Sequence, residues 1–231
     1  MKAYLKYIIA IILIIIFTIS VVPKNFQNDT FYVVALGDYI IEHNIDRVDH
    51  FSWHNDLEYR YPHWLFDVIN ASLYNSFGLN GLYIFVCVIA VIFMLLLFWL
   101  MLKKNINFGI ALVSTIIISY MMKGSFTDRG QIISYILFLI EINLIESFLK
   151  NKNILSVIGL FIISCIIANV HGTAWVMFLI LFLPYIGEYI ISLYTLKNVA
   201  CSRLRSLEKK LNKLKVSSNE NDIKKLEKEI A

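Results

Sequence analysis

The stretch GLYIFVCVIAVIFMLLLFWLML (residues 81–102) runs for 22 residues without a charge, and Lys103 and Lys104 follow it directly. A helix rises about 1.5 Å per residue, so this segment can cross the roughly 30 Å hydrocarbon layer of a bilayer. Hydrocarbon offers no water to satisfy backbone N–H and C=O groups, which forces such a segment to be helical. The composition agrees: 58% of the 231 residues are hydrophobic, 16% are charged, and the mean hydropathy is +0.68. That balance excludes a soluble globular domain and predicts an all-α polytopic membrane protein.

Residues 7–22, 108–122, 131–149, 154–168 and 174–194 are further apolar runs, which gives six predicted transmembrane helices. Lys2 and Lys6 precede the first, as in a signal peptide. Its apolar run is long, however, and no small-residue cleavage pattern comes before Pro23, so it reads as a retained helix. With the N-terminus inside, Lys2, Lys6, Lys103, Lys104, Lys150, Lys152 and the basic tail from Lys197 all fall on the inner side. This positive-inside pattern predicts a cell-membrane protein with both termini cytoplasmic. Cys87, Cys165 and Cys201 then lie in helices or on the inner side, where no extracytoplasmic disulfide can form.

The same topology sorts the chemistry. All five histidines and nine of the seventeen acids fall outside, most of them in a long first loop, residues 23–80. Two short outer turns, TDRGQ (127–131) and NVHGT (169–173), face the same compartment. The loop is too aromatic to be disordered. Its pattern predicts two amphipathic helices at the membrane surface. Asn28 or Asp29 caps the first, which runs toward Asn44 and groups Val33, Leu36, Tyr39 and Ile40. The second starts at Pro62, a favoured first-turn residue, and groups Trp64, Leu65, Val68, Ile69 and Leu73 opposite His63, Asp67 and Asn70.

The strings DTFYVVALGDYIIEHNIDRVDHFSW, PHWLFDVINASLY, DRGQIISYILF and ANVHGTAW, in that order, resemble the N-terminal half of a family of bacterial multi-pass membrane proteins related to the GT-C glycosyltransferases. The resemblance covers roughly residues 1–194. It implies transfer of a sugar from a polyprenyl-phosphate donor to an acceptor at the extracytoplasmic face, by an inverting reaction. It further implies that Asp29 serves as general base or as a metal-linked acid, because the acceptor hydroxyl must lose its proton as it attacks the anomeric carbon. Arg129 offers a fixed fork of donors to the leaving phosphate, and His171 a second donor beside it. Gln131, at the mouth of the same span, and the His63/Asp67 pair complete the expected substrate-binding set. No cofactor is required, although a divalent cation is compatible with the resemblance. The chain departs from the family at Phe31-Tyr32-Val33, where an aromatic-histidine pair is usual, and at Gly130, where proline is usual. It also turns charged after Tyr194, whereas GT-C enzymes usually have more than six spans, so a shortened, split or incomplete member is expected.

Each residue has a plainer reading. Asp29 is also a good helix cap. His63 and Asp67 at i, i+4 make a surface contact worth ~0.2–0.5 kcal/mol. Arg129 suits an interfacial snorkelling residue. His50, His54, Asp49 and Asp56 match no dedicated metal-ligand spacing, so no metal site is assigned. Phe51 and Trp53 read as interface anchors. Glu141 lies inside the fourth span, where a charge at the bilayer centre costs at least ~2.5 kcal/mol, so it is expected to face the bundle interior. Glu188 is expected to pair with an interior polar group.

Residues 196–231 form a separate tail. Leu204, Leu207, Leu211 and Leu214 step by three and four, SSNEN interrupts, and Ile223, Leu226 and Ile230 resume, which predicts a helical hairpin. Ten basic residues against five acids from 197 onward give +5 of the whole chain's +4, leaving the rest at −1. The charge suits anionic inner-leaflet lipids, and no nucleic-acid motif is present. Two other classes stay open. A non-enzymatic membrane subunit of a cell-envelope glycan pathway, working with other membrane subunits, would keep the fold without the base. A transporter would need charged or broken helices at the bilayer centre and repeat symmetry, of which only Glu141 is present.

Overall fold

A computed structural model of the chain describes residues 2–54 and 58–217. Among the described residues there are eight α-helices and no strand. They are α1 (Lys2–Val21), α2 (Asn28–His43), α3 (Trp64–Lys103), α4 (Phe108–Met121), α5 (Gln131–Asn151), α6 (Ile154–Val170), α7 (Trp175–Ile180) and α8 (Leu183–Ser217). Two compact units divide the chain, Met1–Phe178 and Leu179–Ala231. Four helical stretches are long and apolar enough to cross a membrane, in Tyr4–Val21, Trp64–Lys103, Gln131–Asn151 and Gly172–Lys209. α4 and α6 are apolar but shorter, at 14 and 17 residues.

The first unit wears its apolar residues outside. α1 buries Ala10, Ile14 and Thr18, one per turn at i, i+4 and i+8, while Ile8, Ile9, Ile12, Leu13 and Ile16 stay exposed. Ser119 Oγ on α4 donates to Thr18 Oγ1 (3.2 Å) inside the packing. A core of small and large residues joins α1, α3, α4 and α5, including Ala10, Ala90, Met94, Phe98, Ala111 and Ile132. At the far end of α3, Lys103 Nζ donates to Asn143 Oδ1 (2.7 Å) and Lys104 pairs with Glu146, both on α5. Glu141 is wholly buried, and neither carboxyl oxygen has a hydrogen-bond partner.

Several sequence expectations are corrected here. The expected outer helix and the following span are the two arms of α3, which meet directly at a kink at Gly78, where φ is 62° and ψ −156°. Glycine reaches that conformation without a Cβ penalty, so the helix turns at Gly78 and resumes without a loop. The first arm buries its polar face. Phe66, Asp67, Asn70 and Ala71 are buried, whereas Leu65, Val68, Ile69 and Leu73 are half-exposed. A polar face turned inward is the arrangement that suits a helix facing hydrocarbon. Pro62 precedes the helix, which begins at Trp64. Neither Asn28 nor Asp29 caps α2; Gln27 holds the cap position with no side-chain bond, and the Thr30 N–H reaches the Gln27 carbonyl (3.0 Å).

The expected span 174–194 lies within the apolar stretch Gly172–Lys209, and a short turn divides it into two helices. α7 stops at Ile180 and α8 starts at Leu183, since Pro184 has no N–H and its ring clashes with the carbonyl four residues back. Glu188 is exposed rather than paired in an interior. α8 runs unbroken to Ser217, carrying Leu204, Leu207, Leu211 and Leu214 on one helix, and the second arm of the expected hairpin lies outside the described residues.

α2 lies against the first arm of α3 through Gly37. A Cβ there would sit 2.1 Å from the Asp67 carbonyl oxygen and 2.7 Å from the Ala71 Cβ. Gly37→Ala should therefore lower stability by about 1–3 kcal/mol or abolish folding, whereas Gly124→Ala, with nothing within 4 Å of its Cβ, should be nearly silent. Thermal unfolding of both variants in detergent checks this contrast. For Glu141, Gln should be tolerated better than Lys, because an amide needs no counter-charge. Equal membrane levels of the two variants would place this side chain in water instead.

Candidate functional site

At one end of the first unit, four segments distant in sequence converge on a cleft of about 380 Å³. α2 contributes Asp29, Tyr32 and Val33; the start of α3 contributes His63 and Phe66; Arg129 and Gly130 precede α5; and His171 follows α6. Val33, Phe66 and Val170 pack together beneath it.

Glycines and backbone bonds hold these segments together. The Gly172 N–H donates to the Pro62 carbonyl (2.7 Å), and a Cβ on Gly172 would lie 2.8 Å from that oxygen. Trp64 Nε1 donates to Asn169 Oδ1 (2.7 Å), whose amide Nδ2 donates to the Cys165 carbonyl (2.7 Å). His63 is thus anchored on both sides to the turn that carries His171. Gly130 approaches Val170 so closely that a Cβ would stand 2.5 Å from its carbonyl oxygen.

The ionisable groups form two pairs. Arg129 Nη2 donates to Asp29 Oδ2 at the rim, where both side chains are well exposed, 46% and 62%. His63 Nδ1 lies 2.6 Å from Asp67 Oδ1, with His63 27% exposed and Asp67 not at all. His171 Nδ1 is 3.1 Å from Ser134 Oγ. Burial, and secondarily the neighbouring His63, pushes the His171 imidazole below its ordinary value, so it is uncharged at neutral pH.

Of the six residues expected from sequence, Asp29, His63, Arg129 and His171 line the cleft, and Asp67 lies behind His63. Gln131 does not join them; its amide donates to the Tyr135 hydroxyl one turn along α5. The connector DRVDHFSW (46–53) is held by its own acids. Asp46 accepts from Tyr39 Oη (2.8 Å) and Tyr61 Oη (3.0 Å) and meets His50 Nε2 at 2.6 Å. The His50 bond does most to hold its carboxyl well below the usual carboxylate range. Asp49 Oδ1 accepts from the N–H groups of Phe51 and Ser52 (3.0 and 3.1 Å). Tyr39 stacks between His43 and His50. Among the described residues no three His, Cys, Asp or Glu side chains are grouped to hold a metal, and Asp56 lies outside them. Cys87, Cys165 and Cys201 are all free.

Sequence reasoning passed over Tyr32, the glycines and Asp128. The glycines were visible as single breaks in apolar patterns, but the contact each one allows was not. No family model, curated protein or solved structure matches the chain.

Asp128, next to Arg129, is 5% exposed and has no hydrogen bond to either carboxyl oxygen. Burial pushes its carboxyl up to about 6, outweighing the nearby Asn70 amide, which favours the charged form. The folded chain therefore holds this proton more tightly than the unfolded chain, whose value is 3.8. Stability contributed here is present below pH 3.8 and falls as pH rises toward about 6. Asp128→Asn should remove that fall and exceed the parent in stability at pH 7 by at most ~3 kcal/mol, the difference vanishing toward pH 4. Thermal unfolding of both proteins across this range reads the effect; a parent as stable at pH 7 as its Asn variant counts against a charged, buried Asp128.

Proposed function

We propose that the chain is a GT-C-like membrane glycosyltransferase, with six transmembrane helices and cytoplasmic termini, that moves a sugar from a polyprenyl-phosphate donor to an acceptor at the extracytoplasmic face. The supporting observation is the meeting of Asp29, His63, Arg129 and His171 in one cleft. A lipid-phosphate donor needs an apolar surround for its tail and a cation for its headgroup. The exposed apolar faces of the long helices offer the first, and Arg129 offers the second. An exposed ion pair is worth only ~0–1 kcal/mol, so a phosphate able to take two guanidinium N–H groups displaces Asp29 from Arg129 readily. Uncharged His171 then adds one N–H donor without a counter-ion. The acceptor hydroxyl needs a proton acceptor on the opposite side of the anomeric carbon from the phosphate, and the cleft holds a carboxylate and an imidazole within its lining.

The test is transfer of labelled sugar from a polyprenyl-phosphate donor in membranes, normalised to protein level. Arg129→Gln should raise the donor KM about 10–100-fold, as expected for losing hydrogen bonds from a charged group. Arg129→Lys should recover only part of the loss, because an ammonium cannot make the bidentate contact. Transfer indifferent to both substitutions would take the phosphate away from Arg129. An impermeant thiol reagent that labels Cys201 on intact cells would refute the orientation.

A further inference from the structure

We infer that His63, oriented by Asp67, is the proton acceptor of this cleft in place of Asp29; the inference rests on the glycosyl-transfer reading above. The two candidates sit in opposite environments. Asp29 is exposed, and one of its oxygens is taken by the Arg129 guanidinium. His63 is fixed by its neighbours on both sides, through the Pro62 carbonyl and the Trp64 indole, so its ring has little freedom to leave the cleft. Its Nδ1 is committed to Asp67 Oδ1 at 2.6 Å, and Asp67 has no solvent exposure through which a water could compete. A carboxylate accepting the Nδ1–H fixes the tautomer whose Nε2 carries the free lone pair. No hydrogen-bond partner for Nε2 exists among the described residues, and the ring lines the cleft. His63 is therefore the catalytic residue, and Asp67 a positioning residue acting through it.

The step balances without a further reagent. The acceptor oxygen forms a bond to the anomeric carbon while its proton passes to His63 Nε2. The bond between that carbon and the phosphate oxygen breaks, and its electron pair leaves on the polyprenyl phosphate, which gains one negative charge beside Arg129. The imidazolium formed at His63 is balanced by Asp67.

Transfer by full-length chain in membranes, with His63→Ala, His63→Gln, Asp67→Asn and Asp29→Asn, tests this assignment. Both His63 variants should lose ~10²–10⁴-fold in kcat with the donor KM little changed. Added imidazole should restore part of the His63→Ala loss and none of the His63→Gln loss, where the side chain still fills the space. Asp67→Asn should lower kcat without rescue, since the ring stays but its tautomer is no longer held. Asp29→Asn should act mainly on donor KM. The assignment is overturned if Asp29→Asn loses kcat by the same factor while His63→Ala, at equal protein level, transfers normally. A separate readout uses ¹⁵N-histidine NMR of the detergent-solubilised chain, with the His63 signal identified by its loss in His63→Gln. An Nδ1–H tautomer in the parent, absent in Asp67→Asn, supports the pair; an Nε2–H tautomer ends the proposal whatever the transfer rate. Parent protein that transfers nothing sinks the glycosyl-transfer reading, and the tautomer then decides the pair alone.

Discussion

The burial of Asp67 constrains everything around it. A carboxylate taken wholly out of water is tolerable only with a close partner, and removing that partner typically costs about 3–5 kcal/mol. Here the partner is His63 at 2.6 Å, four residues earlier in the chain. The same burial requires α2 to lie flat on α3, which Gly37 permits by leaving its Cβ position empty against the Asp67 carbonyl. On the other side, the Pro62–Gly172 and Trp64–Asn169 bonds close the start of α3 against the turn after α6. One set of contacts thus shields the carboxylate, orients the imidazole and brings His171 to the cleft.

The first arm of α3 is arranged as suits a helix whose outer solvent is hydrocarbon rather than water. In water, a stripe of Trp64, Leu65, Val68, Ile69 and Leu73 would turn inward and His63, Asp67 and Asn70 would face solvent. The chain does the reverse, and does so elsewhere too: Thr18 meets Ser119 inside, and Glu141 is buried in α5. Polar groups that cannot face hydrocarbon collect between helices, where they must find one another. A membrane helix bundle therefore concentrates its chemistry in the interior and at the helix ends, and the cleft lies where the ends of α2, α3, α5 and α6 meet.

Much of this was legible in the sequence. Charge-free runs predicted the helices, since length and composition alone decide whether a segment suits hydrocarbon. Asp29, Arg129 and His171 were picked out by the ordered motifs around them, and His63 by its i, i+4 spacing to Asp67. What the sequence hid depends on neighbours brought in from elsewhere. Asp29 looks like a cap until Arg129, a hundred residues on, is seen to hold it. Gly37, Gly130 and Gly172 look like weak spots until the carbonyls they admit are known. Periodicity gave the two faces of the first arm of α3 but not which of them packs against α2. Pro184 was a local signal and should have divided the last span.

The two pairs of the cleft each join a carboxyl group to a nitrogen donor, and they sit in physically opposite surroundings. Asp29 and Arg129 are open to solvent, so their attraction is screened and each can exchange its partner for a ligand group. Asp67 is sealed, so its attraction to His63 is not screened and the pair cannot separate without leaving a bare charge inside the protein. An exchangeable pair suits recognition, because a phosphate gains what the carboxylate gives up. A fixed pair suits proton transfer, because the ring keeps one orientation and presents one nitrogen to receive the proton. Exposure, more than residue type, separates the two roles.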